Sequence, residues 1–476
     1  MIKRSRPSMR GPRAHERVVL GCLVLGAALL AFGCGGDDGG GPCDPVANTG
    51  CDDGQACEVV TGGDAACFAP MVLRGEVFDL ADDRPIDGAR VVALDVNGSP
   101  QSFVAVTSGG DYELRVPSER SADGVPIGRS LTLRVDAAGY LSFPAGIRQS
   151  LPIDTGAAVM AADGYVVQSA LTRVGLARLT GGGTAALSGR AEVTPSQAGV
   201  LVVAETAATP GAGFAAIADR QGDYQIFNLP AGTYAVRAYS LGANYTPEPV
   251  TLVAGQAATV DLSLAAIGAS AVSGTVNRVS GAPPTSVILV VASTFNAALA
   301  RGEAPPGLRA PAPGRAPDLE GPWTIAAVPA GRYVVLAGFE NDGAVRDRSG
   351  GGNTDLVFID VVGGQDLAIS QTFKVVPALG LIGPGANAAE MVTARPTLSW
   401  IRESSAKDYH VQVFDALGNV VMTHHTNDGA ITSVPYSGPL QSGMYYQLRV
   451  TAYDDASPAP LPITTTEDLR GVFFVP

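Results

Sequence analysis

GDYQIFNLPAGTYAV, residues 222–236, returns ninety-nine positions later as GPWTIAAVPAGRYVV, residues 321–335. Register is kept throughout: Gly222 and Gly321, Tyr224 and Trp323, Ile226 and Ile325, Leu229 and Val328 correspond. A shared Pro-Ala-Gly follows, then Tyr234 and Tyr333, Val236 and Val335. Such a recurrence marks one structural unit used more than once. Tyr224 and Ile226 alternate with polar or small neighbours, as do Tyr234, Val236 and Ala238, which is the period of half-buried strands. Between the two runs, Pro230 holds the second turn position, where its fixed φ suits a type I turn, and Gly232 is expected to take a positive φ. Ahead of them, Asp219-Arg220-Gln221-Gly222 opens with Asp and closes with Gly, a second turn. The stretch reads as a β-hairpin, with Tyr224, Tyr234, Trp323 and Tyr333 packed in a core.

The 476 residues predict three to five domains, and the 59 Gly and 34 Pro favour many turns over long helices. No stretch beyond the N-terminus sustains an apolar period of 3.6 residues. The expected fold class is all-β, a series of antiparallel sandwiches.

Lys3, Arg4, Arg6, Arg10, Arg13 and Arg17 form a basic leader before the apolar run Val18 to Phe32. That run is short for a membrane span, which needs about 20 residues, and suits a signal-peptide core. It ends in LLAFGCGG, with Gly33 before Cys34, and so resembles a bacterial lipoprotein signal. That resemblance implies lipidation of Cys34, a signal peptide over 1–33 and an outer-membrane address, since Gly35 follows the Cys where Asp would favour the inner membrane. Loss of residues 1–33 leaves 26 basic and 44 acidic side chains, a net charge of −18. Such a charge opposes nucleic acid and anionic head groups alike, leaving a covalent lipid as the membrane contact.

Residues 34–42 read as a flexible Gly/Asp tether. Cys43, Cys51, Cys57 and Cys67 then fall in a module, 43–69, too small to bury a sufficient core without staples. Four Cys allow three connectivities, which the sequence leaves open; the expected pairing is Cys43–Cys57 with Cys51–Cys67. A zinc site is the alternative, but no close Cys-x-x-Cys pair is present. The module resembles the Cys-rich knobs that follow the tether in many exported lipoproteins.

The opening LRGEV at 73–77 recurs as LSGRA (187–191) and VSGTV (272–276), and the second strand, from Ala89 to Leu94, as VLVVAET (200–206) and ILVVAST (288–294). With the Gly-x-Tyr motif, this pattern resembles the carboxypeptidase regulatory-like domain, a transthyretin-like seven-stranded β-sandwich. Three copies are expected, at 70–178, 185–266 and 270–376. Copy one keeps Gly110 and Tyr112 but has SERSADGVPIG (118–128) in place of the Pro-Ala-Gly turn. Copy three carries EAPPGLRAPAPGRAP (303–317), whose Pro content predicts an exposed, extended loop. The resemblance implies fold and an accessory role, because in that family a neighbouring domain carries the peptidase. The last unit, 380–476, places Trp400 and then Leu440, Gly443 and Tyr446 before an alternating strand. It resembles a fibronectin type III domain with its tyrosine corner, and Ser442 stands where the family has Pro.

No nucleophile elbow, Walker A loop or dinucleotide fingerprint occurs, so no catalytic residue, cofactor or metal is assigned. His410, His424 and His425 lack a metal-site spacing, and Asp52-Asp53 and Asp95-Val96-Asn97-Gly98 lack the EF-hand pattern; all read as strand edges or turns. The expectation is a non-enzymatic, lipid-anchored rod of β-sandwiches in the cell envelope, with an envelope protein as partner. The alternative is a carbohydrate- or peptide-binding surface lipoprotein, with Tyr239 and Tyr245 as ligand contacts.

Overall fold

The computed structural model describes residues 43–45, 49–96, 98–144, 151–161, 164–194, 199–206, 213–279, 281–297, 301–312, 315–339, 342–348, 356–455 and 461–476. They belong to one compact unit, Pro42–Pro476. Strands, turns and three short 3-10 turns account for the regular structure, with no α-helix among the described residues. The chain is a succession of β-sandwiches behind a small disulfide-closed module.

The second sandwich shows the plan. One sheet places Ala185–Arg190 between Asp223–Leu229, antiparallel, and Ala257–Thr259, parallel. The facing sheet runs Phe214–Ile217, Leu201–Thr206, Gly232–Tyr239, Glu248–Leu252. The third sandwich repeats this: Ser270–Arg278 lies between Pro322–Val328 and Leu367–Pro377, opposite a sheet centred on Val287–Val291 and Gly331–Ala337. In the first, Met71–Asp79 pairs with Asp111–Val116, and Arg90–Leu94 pairs with Ser130–Asp136 in the opposing sheet.

The recurring stretch is therefore not a hairpin. Asp223–Leu229 and Gly232–Tyr239 pair with different strands in opposite sheets, and Pro-Ala-Gly is the corner between them. Ile226 lies opposite Leu187 and Leu229 opposite Ala185, so the strand carries one extra residue, a bulge that re-aims the chain. The same shift occurs between Ser270 and Val272. The positive φ falls on Asn228 (64°) and Ala327 (60°), not on Gly232. Two strands facing one core from opposite sheets show the same alternation as a hairpin, which is why the pattern misleads. Tyr234 Oη donates to Pro230 O at 2.7 Å and Tyr333 Oη to Pro329 O at 2.9 Å, pinning each corner.

Each corner is also a joint. Asn228 Nδ2 donates to Ala137 O and Tyr140 O of the first sandwich, and its Oδ1 accepts from Gly139 N at 2.7 Å. Gly242 N donates to Ala327 O, and Asn244 Oδ1 accepts from Ala330 N, so the third sandwich's corner seats on the second. A Cβ on Gly331 would lie 2.6 Å from Tyr239 Cε1, so only glycine permits that approach. In the first sandwich the corner is replaced by the loop 117–129, which seats the Cys module. There Glu58, 2% exposed, accepts from Ser118 N at 2.8 Å and pairs with Arg120, whose guanidinium covers the Phe68 ring at 4.7 Å.

Two further expectations are corrected. The insertion at 303–317 is not an exposed loop: Pro305 to Leu308, Ala310 and Pro311 are buried, and Arg309–Ala310 pairs with Val287–Ile288 at the sheet edge. Its leucine and prolines supply apolar surface that the junction buries. The sandwiches are also not strung as a rod in which only neighbours touch. Phe143 of the first packs at a tilt against Tyr445 of the fourth, ring centroids 5.6 Å apart, and one continuous core joins the two. Gly443, at φ 73°, brings the fourth sandwich within 2.6 Å of Phe78 at the position where a Cβ would stand. Apolar burial at about 25 cal/mol per Å² favours this closure over an open string.

Replacing Asn228 tests the joint. Asn228→Ala removes three hydrogen bonds and leaves a Cβ residue in left-handed geometry without a polar side chain, and is expected to cost about 1–3 kcal/mol in urea unfolding. Asn228→Gly relieves only the backbone share and should recover part of the loss. Wild-type stability in both variants would refute the joint.

Candidate functional site at the sandwich junctions

Cys34 lies outside the described residues. Cys43 is bonded to Cys57 and Cys51 to Cys67. The sulfurs of Cys43, Cys51 and Cys67 lie near one another, but all are in disulfides and offer no thiolate to a metal. Tyr239 and Tyr245, expected as ligand contacts, are buried. Tyr239 is 1% exposed and donates to Glu205 Oε1 at 2.7 Å; Tyr245 is 8% exposed and donates to Glu192 O at 2.7 Å. Their rings pack the cores, so neither forms a platform for a sugar. Trp323 and Trp400 are core residues as well.

The histidines lie on adjacent strands, Asp408–Asp415 and Val420–His425. His410 and His425 stand directly opposite, their rings stacked at 4.3 Å, while His424 faces the other way. His425 Nδ1 donates to Asp408 Oδ2 at 2.9 Å, and the nearly buried Asp408 is held below the ordinary carboxylate range by that bond and by Asn427 N and Thr426 Oγ1, against the effect of burial. Burial, with the charge of His425 behind it, pushes His410 down.

Polar groups from separate sandwiches converge at two cavities. The first, about 390 Å³, is walled by Leu94, Ile217, Ile288, Val290, Leu308 and Phe339. At its edge Arg134 of the first sandwich holds three partners: Asp136 at 3.1 Å, Glu303 of the third at 3.1 Å and Ala215 O of the second at 2.8 Å. Burial opposes the Glu303 charge, yet Arg134 and Arg301 hold its carboxyl below the ordinary range. The second cavity, about 480 Å³, lies between the Cys module and the first and second sandwiches, and is polar. Ser99, Gln101, Ser118, Glu119, Arg129, Thr194, Asp219 and Arg220 line it. The sequence did not bring the members of either group together, since no local spacing connects residues such as Arg134 and Glu303, 169 positions apart.

No family model matches the chain, and no curated protein is similar to it. Similar solved structures include the Bacillus anthracis TIE protein, at 13% identity and a TM-score of 0.16 over 82% of this chain and 68% of that one. The major pilin subunit BcpA of Bacillus cereus is similar at 10% identity and a TM-score of 0.17, covering 63% of this chain and 98% of its own. A DUF3823 family protein from Bacteroides uniformis is similar at 12% identity and a TM-score of 0.18, covering 44% and 100%.

Glu303→Gln leaves the Arg134 guanidinium, at 8% exposure, short of one charge partner. A loss of about 1–3 kcal/mol in thermal or urea unfolding is expected, because removing one member of a desolvated pair strands the other. Asp342, at the contact between the third and fourth sandwiches, has its carboxyl pushed up to about 6 by burial, with the Glu467 charge adding to it. Its folded value thus exceeds its unfolded one. The stabilisation that protonation brings is complete below the unfolded value near 4 and is lost as pH rises through 6. Asp342→Asn should flatten the stability–pH curve between pH 4 and 7 (roughly the window between those values); an unchanged slope would refute the assignment.

Proposed function

We propose that this chain is an exported, lipid-anchored, non-enzymatic protein of the bacterial cell envelope, whose joined β-sandwiches act as a structural or protein-interaction body. The carrying observation is the module closed by Cys43–Cys57 and Cys51–Cys67. Such bonds persist in oxidising compartments, and the module directly follows the leader, the apolar run and Cys34. The negative charge of the chain beyond residue 33 supports a covalent lipid as the membrane contact. No helix among the described residues is long and apolar enough to cross a membrane. Gly35 after the lipidated position supports the outer membrane, on its periplasmic or its outer face.

The sealed junctions support the interaction role. Sandwiches joined by a core common to the first and fourth, by another common to the second and third, and by the Arg134–Glu303 pair between the first and third present fixed surfaces to a partner, at little ordering cost on binding.

The test is Cys34→Ser. The wild-type protein is expected in the membrane fraction, with an acylated Cys34 peptide by mass spectrometry, and the variant in the soluble fraction. An unmodified Cys34 in wild-type membranes would overturn the anchor. Protease treatment of intact cells then separates the two faces, since only a surface protein releases fragments of residues 70–476 before the outer membrane is broken.

A further inference from the structure

Arg129 and Arg220 meet at the 480 Å³ cavity from different sandwiches, and among the described residues neither forms an ion pair. Arg129 donates through Nη2 to Pro117 O, while its Nε is buried with no partner. Arg220 sits on the turn 219–222 and has no hydrogen-bonded partner among the described residues. Burial pushes both guanidinium groups below the ordinary arginine value, and the Arg220 charge adds to the effect on Arg129. Desolvation is the larger cost for both guanidinium groups, and at Arg129 the more distant Asp95, Glu119 and Glu58 offset only part of it, so an anion in direct contact would be favoured.

The acids nearby are committed elsewhere. Glu58 is locked to Arg120 and Ser118 N. Asp219 accepts from three backbone N–H groups, those of Val104, Gln221 and Asp223. Asp95 accepts from Ser99 N and Gln101 Nε2. Glu119 is exposed at the rim. Asp95, Glu119 and Glu58 act on Arg129 through space, without direct contact. Two arginines thus line a cavity that holds far more than one ion, beside the hydroxyl and amide side chains of Ser99, Ser118, Thr194 and Gln101 and the committed carboxylates.

We propose that this cavity binds a small polar ligand of sugar size bearing one oxyanion, whose oxygens bridge Arg129 and Arg220. Guanidinium forks match carboxylate and sulfate oxygens in geometry. The hydroxyl and amide walls suit a polyhydroxylated body over an apolar one. This site is independent of the lipid anchor, and it moves the ligand-binding surface from the buried tyrosines to a joint between modules.

The experiment uses the disulfide-bonded chain from residue 35 and three probes: inorganic sulfate, glucuronate and glucose, each at constant ionic strength against chloride. Sulfate and glucuronate are expected to raise the melting temperature saturably, glucuronate at lower concentration, and glucose to leave it unchanged. Arg129→Gln and Arg220→Gln should each weaken glucuronate binding by about tenfold or more. Because burial costs each guanidinium more than its distant neighbours return, neither variant should melt below the wild type. Absence of a saturable shift with both anions, an unchanged shift in both variants, or a lowered melting temperature in both would overturn the proposal. A sulfate shift without a glucuronate shift would also overturn it, since it would mean an adventitious ion only.

Discussion

The corner at Asn228 is the constraint on which the rest depends. A chain leaving one sheet for the other within two residues needs a bulge, a residue in left-handed geometry and a proline to hold the exit. The stretch from Ile226 to Leu229 supplies the bulge, Asn228 the left-handed residue and Pro230 the exit. The bend leaves the Asn228 side chain outside its own sandwich, where it reaches three backbone groups of the preceding one. One local conformation thereby sets a global contact, and Ala327 with the backbone of its corner repeats the arrangement one unit later.

Charge is spent at these joints in buried form. Glu58 with Arg120, and Arg134 with Asp136 and Glu303, lie where separate modules meet. Buried pairs are poor sources of net stability, since desolvation offsets most of the attraction. They do penalise wrong placement heavily, because a shifted module would strand a charge. Apolar contacts such as Phe143 on Tyr445 bring the modules together; the ion pairs fix their register.

The fold class was legible because alternation and Gly-x-Tyr recurrence report the core-facing side of each strand directly, and Tyr224, Trp323, Trp400 and Tyr446 all lie where that pattern puts them. Pairing partners were not, because alternation is blind to whether the next strand lies in the same sheet or the facing one. The insertion at 303–317 misled for a related reason. Proline signals an irregular backbone, not an exposed one, and Pro305 and Pro306 pack in the junction. Tyr239 and Tyr245 were read as spare aromatics, yet each hydroxyl has an acceptor inside the fold. Arg129 and Arg220 had no signature at all, being 91 positions apart and joined only by the docking of two sandwiches.

The disulfide between Cys43 and Cys57 sets the route by which tension travels. Force applied to the backbone at residue 43 crosses the sulfur bridge to Cys57 and passes at once to Glu58, whose carboxylate is clamped to Arg120 and Ser118 of the first sandwich. Residues 49–56 are bypassed while the backbone from Cys57 to Glu58 bears the strain. A chain tugged from its N-terminal end would therefore resist as a short covalent strap bolted to a β-sandwich, with no small module to unravel first.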